Sequence, residues 1–384
     1  MKKTLLLSEV FPPVKGGSGR WLWEIYNRVA TEKVVVAAGD TEGASTFDKS
    51  NKLNTYRLSL KSDSWNLKDC KGLALYWRTY WQVRKLIKKN QIEAVHCARC
   101  LPEGFVGYML YKFLRIPYLC YIHGEDVEAA SASRELSWIV IKALRNAKYL
   151  ICNSQNTANI LCKSWKINAS KIKIIHPGVD ATKFAPAQTT QTVRRQLGWK
   201  KDPVILTVGR LQERKGQDML IKSLPLIKEK YPEVLYVIVG DGKRRSALEQ
   251  LVEQLKLKDN VLFMPKLSDA EMIQCYQQCD VFILPNRTVG RDIEGFGMVL
   301  VEAQACAKPV IAGDSGGTAE TMVPDQTGLI IDCTQPKLIA QTLTSLLSDP
   351  EKCKHMGANG RQHIEQHLDW KMIVQQSKNL FEQL

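Results

Sequence analysis

The chain has no run of about 18 consecutive apolar residues, the least a membrane-spanning helix needs, which excludes a transmembrane segment. Its N-terminus, MKKTLLLSEVFPP, imitates a signal peptide only superficially. The apolar part is Leu5 to Leu7 and Glu9 interrupts it, as expected of a first β-strand. The even, clustered cysteines of a disulfide framework are also missing. Eleven are scattered over 384 residues, several of them inside strand-like runs (Cys120, Cys152, Cys333), and they read as buried thiols of a cytoplasmic protein. Cys97-x-x-Cys100 has redox or half-zinc spacing, yet no second Cys/His pair completes a ligand set. Cys275 and Cys279 read as one helix face running into a strand. Acid is scarce in the first half: residues 1–190 hold 29 Lys and Arg against 15 Asp and Glu, a net of +14, whereas the remainder is nearly balanced at +1. Such asymmetry predicts an anionic partner for the first half, either a membrane surface, a nucleic acid or an anionic substrate.

What is present is globular in composition, 45% apolar and 24% charged, and long enough for two domains. Short β-branched or Leu-rich runs alternate with amphipathic stretches. In the first half these runs are Thr4–Ser8, Val34–Gly39, Thr55–Leu60, Ala94–Cys97, Tyr118–His123, Tyr149–Asn153 and Ile172–His176. The pattern restarts at Val204–Gly209 and continues with Leu235–Gly240, Val261–Met264, Val281–Leu284, Pro309–Ala312 and Leu329–Asp332. Apolar runs of this length between helices indicate parallel sheets buried on both faces, hence two doubly wound α/β domains. The polar stretch 186–201 is the expected boundary, giving domains 1–186 and 187–368. Asp369 is placed to cap a last helix, 369–384, carrying Trp370, Met372, Ile373 and Phe381.

Open parallel sheets bind ligands beyond the C-terminal ends of their strands, so the residues just after each strand carry the argument. After the first strand comes Gly16-Gly17-Ser18-Gly19, where backbone amides can approach a phosphate, or which is an ordinary Gly-rich turn. After the fifth stands His123-Gly124-Glu125-Asp126; a histidine there is either a satisfied structural residue or a site residue. GRLQERKG (209–216) places Arg210 and Lys215 across a turn, able to clamp one diphosphate from two sides unless the turn is simply solvated. The strongest signal is Glu294-Gly-Phe-Gly-Met-Val-Leu-Val-Glu302. Amides at Gly297, Met298 and Val299 open a helix where an anion would sit, and Glu302 on an apolar helical face calls for hydroxyl donors such as a ribose. Gly316-Gly317-Thr-Ala-Glu320 repeats the logic after the next strand.

This set resembles the retaining glycosyltransferases of glycosyltransferase family 4, which have the GT-B fold. The resemblance covers essentially the whole chain: the Gly-rich first loop, HGED, HPGVD at 176–180, GRLQERKG, the E-x7-E block and GGTAE. The stretch DIEGFGMVLVEAQACAKPVIAGDSGG is most similar to the branch of bacterial phosphatidylinositol mannosyltransferases. The resemblance implies two Rossmann-like domains facing a cleft, with the C-terminal helix crossing back to the first, acceptor-side domain. It implies that Arg210 and Lys215 neutralise the donor diphosphate and that Glu302 binds the ribose. Glu294 would contact donor-sugar hydroxyls, helped by amides from Phe296 to Val299. His123 would approach the reacting centre, and Gly17 the phosphate and acceptor. The roles of Glu125 and Asp126 stay open.

The implied activity is transfer of a hexose from a nucleotide-diphosphate sugar, GDP-mannose or a UDP-sugar, to an acceptor hydroxyl in glycolipid, cell-envelope or polysaccharide synthesis. No Asp-x-Asp pair follows a suitable strand, so no metal and no cofactor are expected, with Arg210, Lys215 and helix N-termini supplying the positive charge. Two alternatives are a same-fold epimerase or hydrolase and a basic nucleic-acid-binding module. Against the second, basic residues are spread and no RNA or DNA motif appears. The segment Gly72–Gln91 adds Leu73, Leu75, Trp77, Tyr80 and Trp81 to Arg84, Lys85, Lys88 and Lys89 on one expected helix. It reads as a core helix with a solvated basic end or as an interfacial helix on anionic lipid, which would make the acceptor lipid-linked and the enzyme peripheral on the inner face of a membrane.

Overall fold

A computed structural model describes residues 1–14, 16–62 and 64–384. The chain divides into two compact units, Met1–Pro177 with Trp370–Leu384, and Gly178–Asp369.

The first unit is built on β1 (Thr4–Ser8), β2 (Val34–Gly39), β3 (Asn54–Leu58), β4 (Ala94–Cys97), β5 (Tyr118–Ile122), β6 (Tyr149–Cys152) and β7 (Ile172–Ile174). All pairings are parallel, in the order β3-β2-β1-β4-β5-β6-β7. Every residue of β1, β2, β4 and β5 is buried, which is why these strands read as continuous apolar runs rather than alternating ones. The strand order reverses between β1 and β4, the position at which such a sheet opens a crevice for ligand. Crossover helices are capped by side chains: Asp69 accepts from the Lys71 N–H, and Ser133 and Ser154 cap the helices that follow them. The first helix begins at Gly17, inside the Gly-rich segment that follows β1.

The helix Cys70–Asn90 has one buried and one exposed face. Leu75, Tyr76, Tyr80, Val83, Leu86 and Ile87 are buried on its inner face, so Leu75 and Tyr80 belong to the core reading of this helix. Leu73, Trp77 and Trp81, four residues apart, stay outside at 54%, 59% and 44% exposure. Trp77 packs edge-on against Trp81 at 5.6 Å, and the Arg84 guanidinium lies over Trp81 at 4.7 Å. Phe113, also exposed, extends the aromatic surface and meets Tyr80 at 6.0 Å.

The second unit holds β8 (Val204–Val208), β9 (Leu235–Val239), β10 (Val261–Met264), β11 (Val281–Leu284), β12 (Val310–Gly313) and β13 (Gly328–Ile331). Its parallel sheet has the order β10-β9-β8-β11-β12-β13, with the reversal between β8 and β11. The units part at Pro177–Gly178 rather than within 186–201. The reason is local: Val179, Ala181 and Phe184 are buried in the second core with Trp199, Tyr276 and Phe282, and Arg361 Nη1 donates to the carbonyls of Ala181, Phe184 and Ala305 at 2.7–2.8 Å. Residues 191–196 form a short helix capped by Thr190.

The final helix, Trp370–Glu382, belongs to the first unit. Trp370, Ile373, Val374 and Phe381 are buried, whereas Met372 is exposed. Phe381 stacks on Tyr26 at 5.6 Å and meets His96 at 4.5 Å. Asp369 sends Oδ2 to the Ala181 N–H at 3.1 Å.

One buried acid gives this unit a pH signature. Glu103, in the turn after β4, accepts the Glu9 N–H on Oε1 at 2.7 Å. Burial pushes its carboxyl up to about 7, against the pull of Arg99. The folded chain therefore keeps a proton that an unfolded chain loses near the ordinary value of 4.5. Stability present below that value is given up as pH rises through about 7. Glu103→Gln retains the accepting oxygen and is expected to raise Tm at pH 8, by an amount corresponding to roughly 1–3 kcal/mol, with little change at pH 4. Thermal melts at both values check this, and identical melts at pH 8 refute it.

Candidate active site

The site in the second unit starts from a turn that only glycine can make. Gly216 has φ +71°, and a Cβ there would lie 1.6 Å from the Pro285 carbonyl oxygen. The turn after β8 is thus pressed onto the end of β11, at the point where strand order reverses. This contact delivers Lys215 to the loop that leaves β11. Its Nζ lies 2.6 Å from Glu294 Oε2. Arg214 Nη1 reaches the same oxygen at 2.5 Å, and its Nε reaches Asp292 Oδ1 at 2.9 Å. Arg214, Lys215 and Glu294 are all buried, whereas Arg210 is exposed just beyond β8.

Electrostatics follow from that packing. Burial would raise the Glu294 carboxyl, but the charges of Lys215 and Arg214 outweigh it and hold the group below the usual carboxylate value. Lys215 is lowered, by burial first, with Glu294 opposing and Arg214 and Arg210 reinforcing. The cluster joins two buried cations to one buried carboxylate, with Asp292 taking a further contact from Arg214.

The Glu294 backbone is fixed from behind. Gly316, at φ +67°, would set a Cβ 1.9 Å from the Glu294 carbonyl oxygen, and the Gly317 N–H donates to that oxygen at 2.9 Å. The GGTAE segment therefore serves as a backing for the Glu294 loop. Phe296 anchors the loop in the core, and Gly297 turns the chain into the helix Met298–Ala305. Met298 and Val299 are half-buried against the same core, and the first turn of a helix leaves amides without intrahelical partners. Glu302, buried one turn on, accepts the Tyr276 hydroxyl on Oε2 at 2.6 Å.

In the first unit, helix Gly17–Tyr26 and His123 share the carboxyl side of the sheet. Trp21 meets the His123 ring edge-on at 5.5 Å, and Gly17 is exposed at the helix start. His123 Nε2 lies 2.8 Å from the Ala98 carbonyl oxygen. A carbonyl only accepts, so in the neutral ring Nε2 carries the proton and Nδ1 the lone pair. Asp126 closes the loop, accepting from the His123 and Gly124 N–H groups on Oδ1, both at 3.1 Å, and from the Cys100 N–H on Oδ2 at 3.4 Å.

The structure thus brings Lys215 and Glu294 into direct contact and sets Glu302 on the helix that follows. Three participants, Arg214, Tyr276 and Arg287, are not singled out by the sequence, and Asp126 is singled out there with its role open. Arg214 stands beside Lys215 in the same turn. Tyr276 reads as a core position of its helix. Asp126 is legible only as an i+2, i+3 turn acceptor. Arg287, which forms a two-point pair with Asp218 at 2.8 and 3.1 Å, finds that partner 69 residues away. None of the eleven cysteines forms a disulfide, and eight of them, including Cys97 and Cys100, are buried. Among the described residues no group of three or more His, Cys, Asp or Glu is placed to hold a metal ion. No helix among them is long and apolar enough to cross a membrane.

Two parallel Rossmann-like sheets, with a GRLQERKG turn and an E-x7-E loop meeting at the switch point of the second, define a sugar-nucleotide-dependent glycosyltransferase, a hexosyl-transferring enzyme. Residues 15–183 match Glycosyltransferase Family 4, and residues 189–363 match Glycosyl transferases group 1. The chain belongs to glycosyltransferase family 4. It is 28% identical over 378 residues to the GDP-mannose-dependent alpha-(1-6)-phosphatidylinositol monomannoside mannosyltransferase of Mycolicibacterium smegmatis, covering 96% of this chain and 95% of that protein. It is 29% identical over 399 residues to the GDP-mannose-dependent monoacylated alpha-(1-6)-phosphatidylinositol monomannoside mannosyltransferase of Corynebacterium glutamicum, covering 99% and 98%. Among solved structures, HepE of Anabaena in complex with UDP superposes with a TM-score of 0.82 over all of both chains at 22% identity, a likeness of fold.

Proposed function

We propose that this chain transfers mannose from GDP-mannose, with retention of configuration, to a hydroxyl of a lipid-linked acceptor of the phosphatidylinositol mannoside type. The single observation that carries the reading is the buried Lys215–Glu294–Arg214 cluster beside the helix that presents Glu302. The names of the M. smegmatis and C. glutamicum relatives support the donor and acceptor classes. In this reading the second unit binds the donor and the first the acceptor. Arg210 and Lys215 bind the diphosphate, with amides from Phe296 to Val299. Glu302 takes the ribose and Glu294 the donor-sugar hydroxyls, while Gly17 and His123 serve the phosphate and the reacting centre. The bond between the anomeric carbon and the phosphate oxygen breaks, its electron pair leaving with the nucleotide. The acceptor oxygen forms the new bond on the same face and yields its proton to the departing phosphate. Positive charge from Arg210, Lys215 and the helix start stabilises departure without calling on a metal.

The test is transfer from GDP-mannose and from UDP-glucose to phosphatidylinositol mannoside, run with and without EDTA. Transfer from GDP-mannose that survives EDTA is the expected result. Hydrolysis alone, or strict need for added magnesium or manganese, overturns the reading.

The same proposal places the enzyme on the inner face of a membrane, in the cytoplasm. Leu73, Trp77, Trp81 and Phe113 form an exposed apolar and aromatic surface, flanked by Arg84, Lys85, Lys88 and Lys89 at the end of one helix. Aromatic rings at headgroup depth with lysines on anionic lipid fit it, each basic residue contributing about 1 kcal/mol before screening. Sedimentation should carry the protein down with anionic vesicles at low salt, and less at high salt or with neutral vesicles. Protein left in the supernatant with anionic vesicles at low salt would point to an acceptor in solution.

A further inference from the structure

Arg214 and Lys215 bring two buried cations to one oxygen, Glu294 Oε2, but the two are held differently. Arg214 sends Nε to Asp292, and its carbonyl accepts the Arg287 N–H at 2.8 Å. Arg287 is itself fixed on Asp218 by its two-point pair. Arg214 is therefore tied to positions 287, 292 and 294 of one loop. A planar guanidinium so held leaves only by breaking several contacts together. Lys215 is a point charge on a flexible four-carbon stem. Its Cε and Nζ lie over the backbone of Gly209, 3.8 and 4.0 Å from where a Cβ would stand, at the end of β8 beside Arg210.

Two cations, Arg214 and Lys215, thus hold Glu294, with Asp292 half-exposed behind Arg214 and Arg210 exposed beyond the end of β8. An arriving diphosphate competes with Glu294 for the mobile ammonium, and the anchored guanidinium stays. We propose that Arg214 is a positioning residue: it keeps the Glu294 carboxylate in place while Lys215 moves its ammonium from Glu294 to the donor diphosphate. The inference rests on the donor-site reading given above. On this view the Lys215–Glu294 contact belongs to the resting enzyme and is exchanged at each turnover. Arg214 touches no substrate and acts through Glu294.

The test compares Arg214→Ala and Arg214→Lys with Lys215→Ala, by steady-state kinetics in GDP-mannose and calorimetry with GDP and UDP. Arg214→Ala is expected to lower kcat at least tenfold while donor KM and nucleotide Kd stay within about threefold. Arg214→Lys should recover part of kcat, and Lys215→Ala should weaken nucleotide binding. A kcat within twofold of wild type, or nucleotide affinity falling in step with kcat, overturns the proposal. If Arg214→Ala does not fold, as judged by its melting curve, Arg214→Lys decides. It keeps the charge and loses the fork, so kcat should still fall at least threefold at unchanged Kd, and an unchanged kcat overturns the proposal. Wild-type enzyme that binds neither GDP nor UDP would sink the donor-site reading, whereas normal binding with an unaffected Arg214→Ala sinks only this inference.

Discussion

Replacing Lys215 with alanine is expected to lower turnover at least tenfold, and Arg210→Ala should do likewise. On the proposed reading each residue supplies one charge-assisted contact to a diphosphate whose negative charge grows as the sugar departs. Such contacts contribute about 1.5–3 kcal/mol, which in a rate is roughly ten- to a hundredfold. The two should differ in resting character. Lys215 is buried against Glu294, so its removal leaves that carboxylate to Arg214 alone. Arg210 is exposed at the rim, so its removal disturbs nothing inside the fold. Initial rates at saturating GDP-mannose measure the effect, and full activity in both variants would remove the pair from the site.

The second large effect separates the two carboxylates of the E-x7-E block. Glu302→Ala should mainly weaken binding of the free nucleoside diphosphate, and Glu294→Ala should mainly slow turnover. The geometry gives the reason. Glu302 sits in the helix Met298–Ala305, buried and oriented by the Tyr276 hydroxyl, and on the proposed reading it accepts hydroxyls of the bound nucleotide. Glu294 sits in the loop before that helix, in contact with Lys215, which on the proposed reading meets the leaving group. Interactions made in the transition state change kcat, and those made equally in the ground state change affinity. Calorimetry with GDP and UDP, paired with kcat, tests this; equal loss of affinity in the two variants contradicts the division.

The sheets were legible almost strand for strand, because a parallel strand buried on both faces must be a short apolar run and a helix must separate it from the next. Thr55–Leu60 against the observed Asn54–Leu58 is typical of the small shifts at the ends. The unit boundary was less legible. Val179 and Phe184 are isolated apolar residues in a polar stretch, and only their neighbours in space show that they belong to the second core. The same limit hid Arg214 and Arg287. A buried guanidinium and a solvated one are the same letter, and what separates them is a carboxylate dozens of residues away. Lys215, Glu294 and Glu302 stood out because strand ends and motif spacing mark them locally, while Tyr276 lay in a helix whose pattern explains itself as packing.

The first unit also imposes an order on synthesis. Its sheet is finished by residue 174, yet one of its layers, the helix Trp370–Glu382, is made only after the whole second unit. Domains emerging from a ribosome fold as units, the earliest first. Here the earliest unit waits for the last residues. Until Phe381 arrives to cover Tyr26 and His96, an aromatic face of the nascent chain stands open for the time it takes to translate nearly two hundred residues. At about 5–20 residues per second that is on the order of ten seconds or more, a window in which the first unit has its whole sheet but not the helix that covers this face.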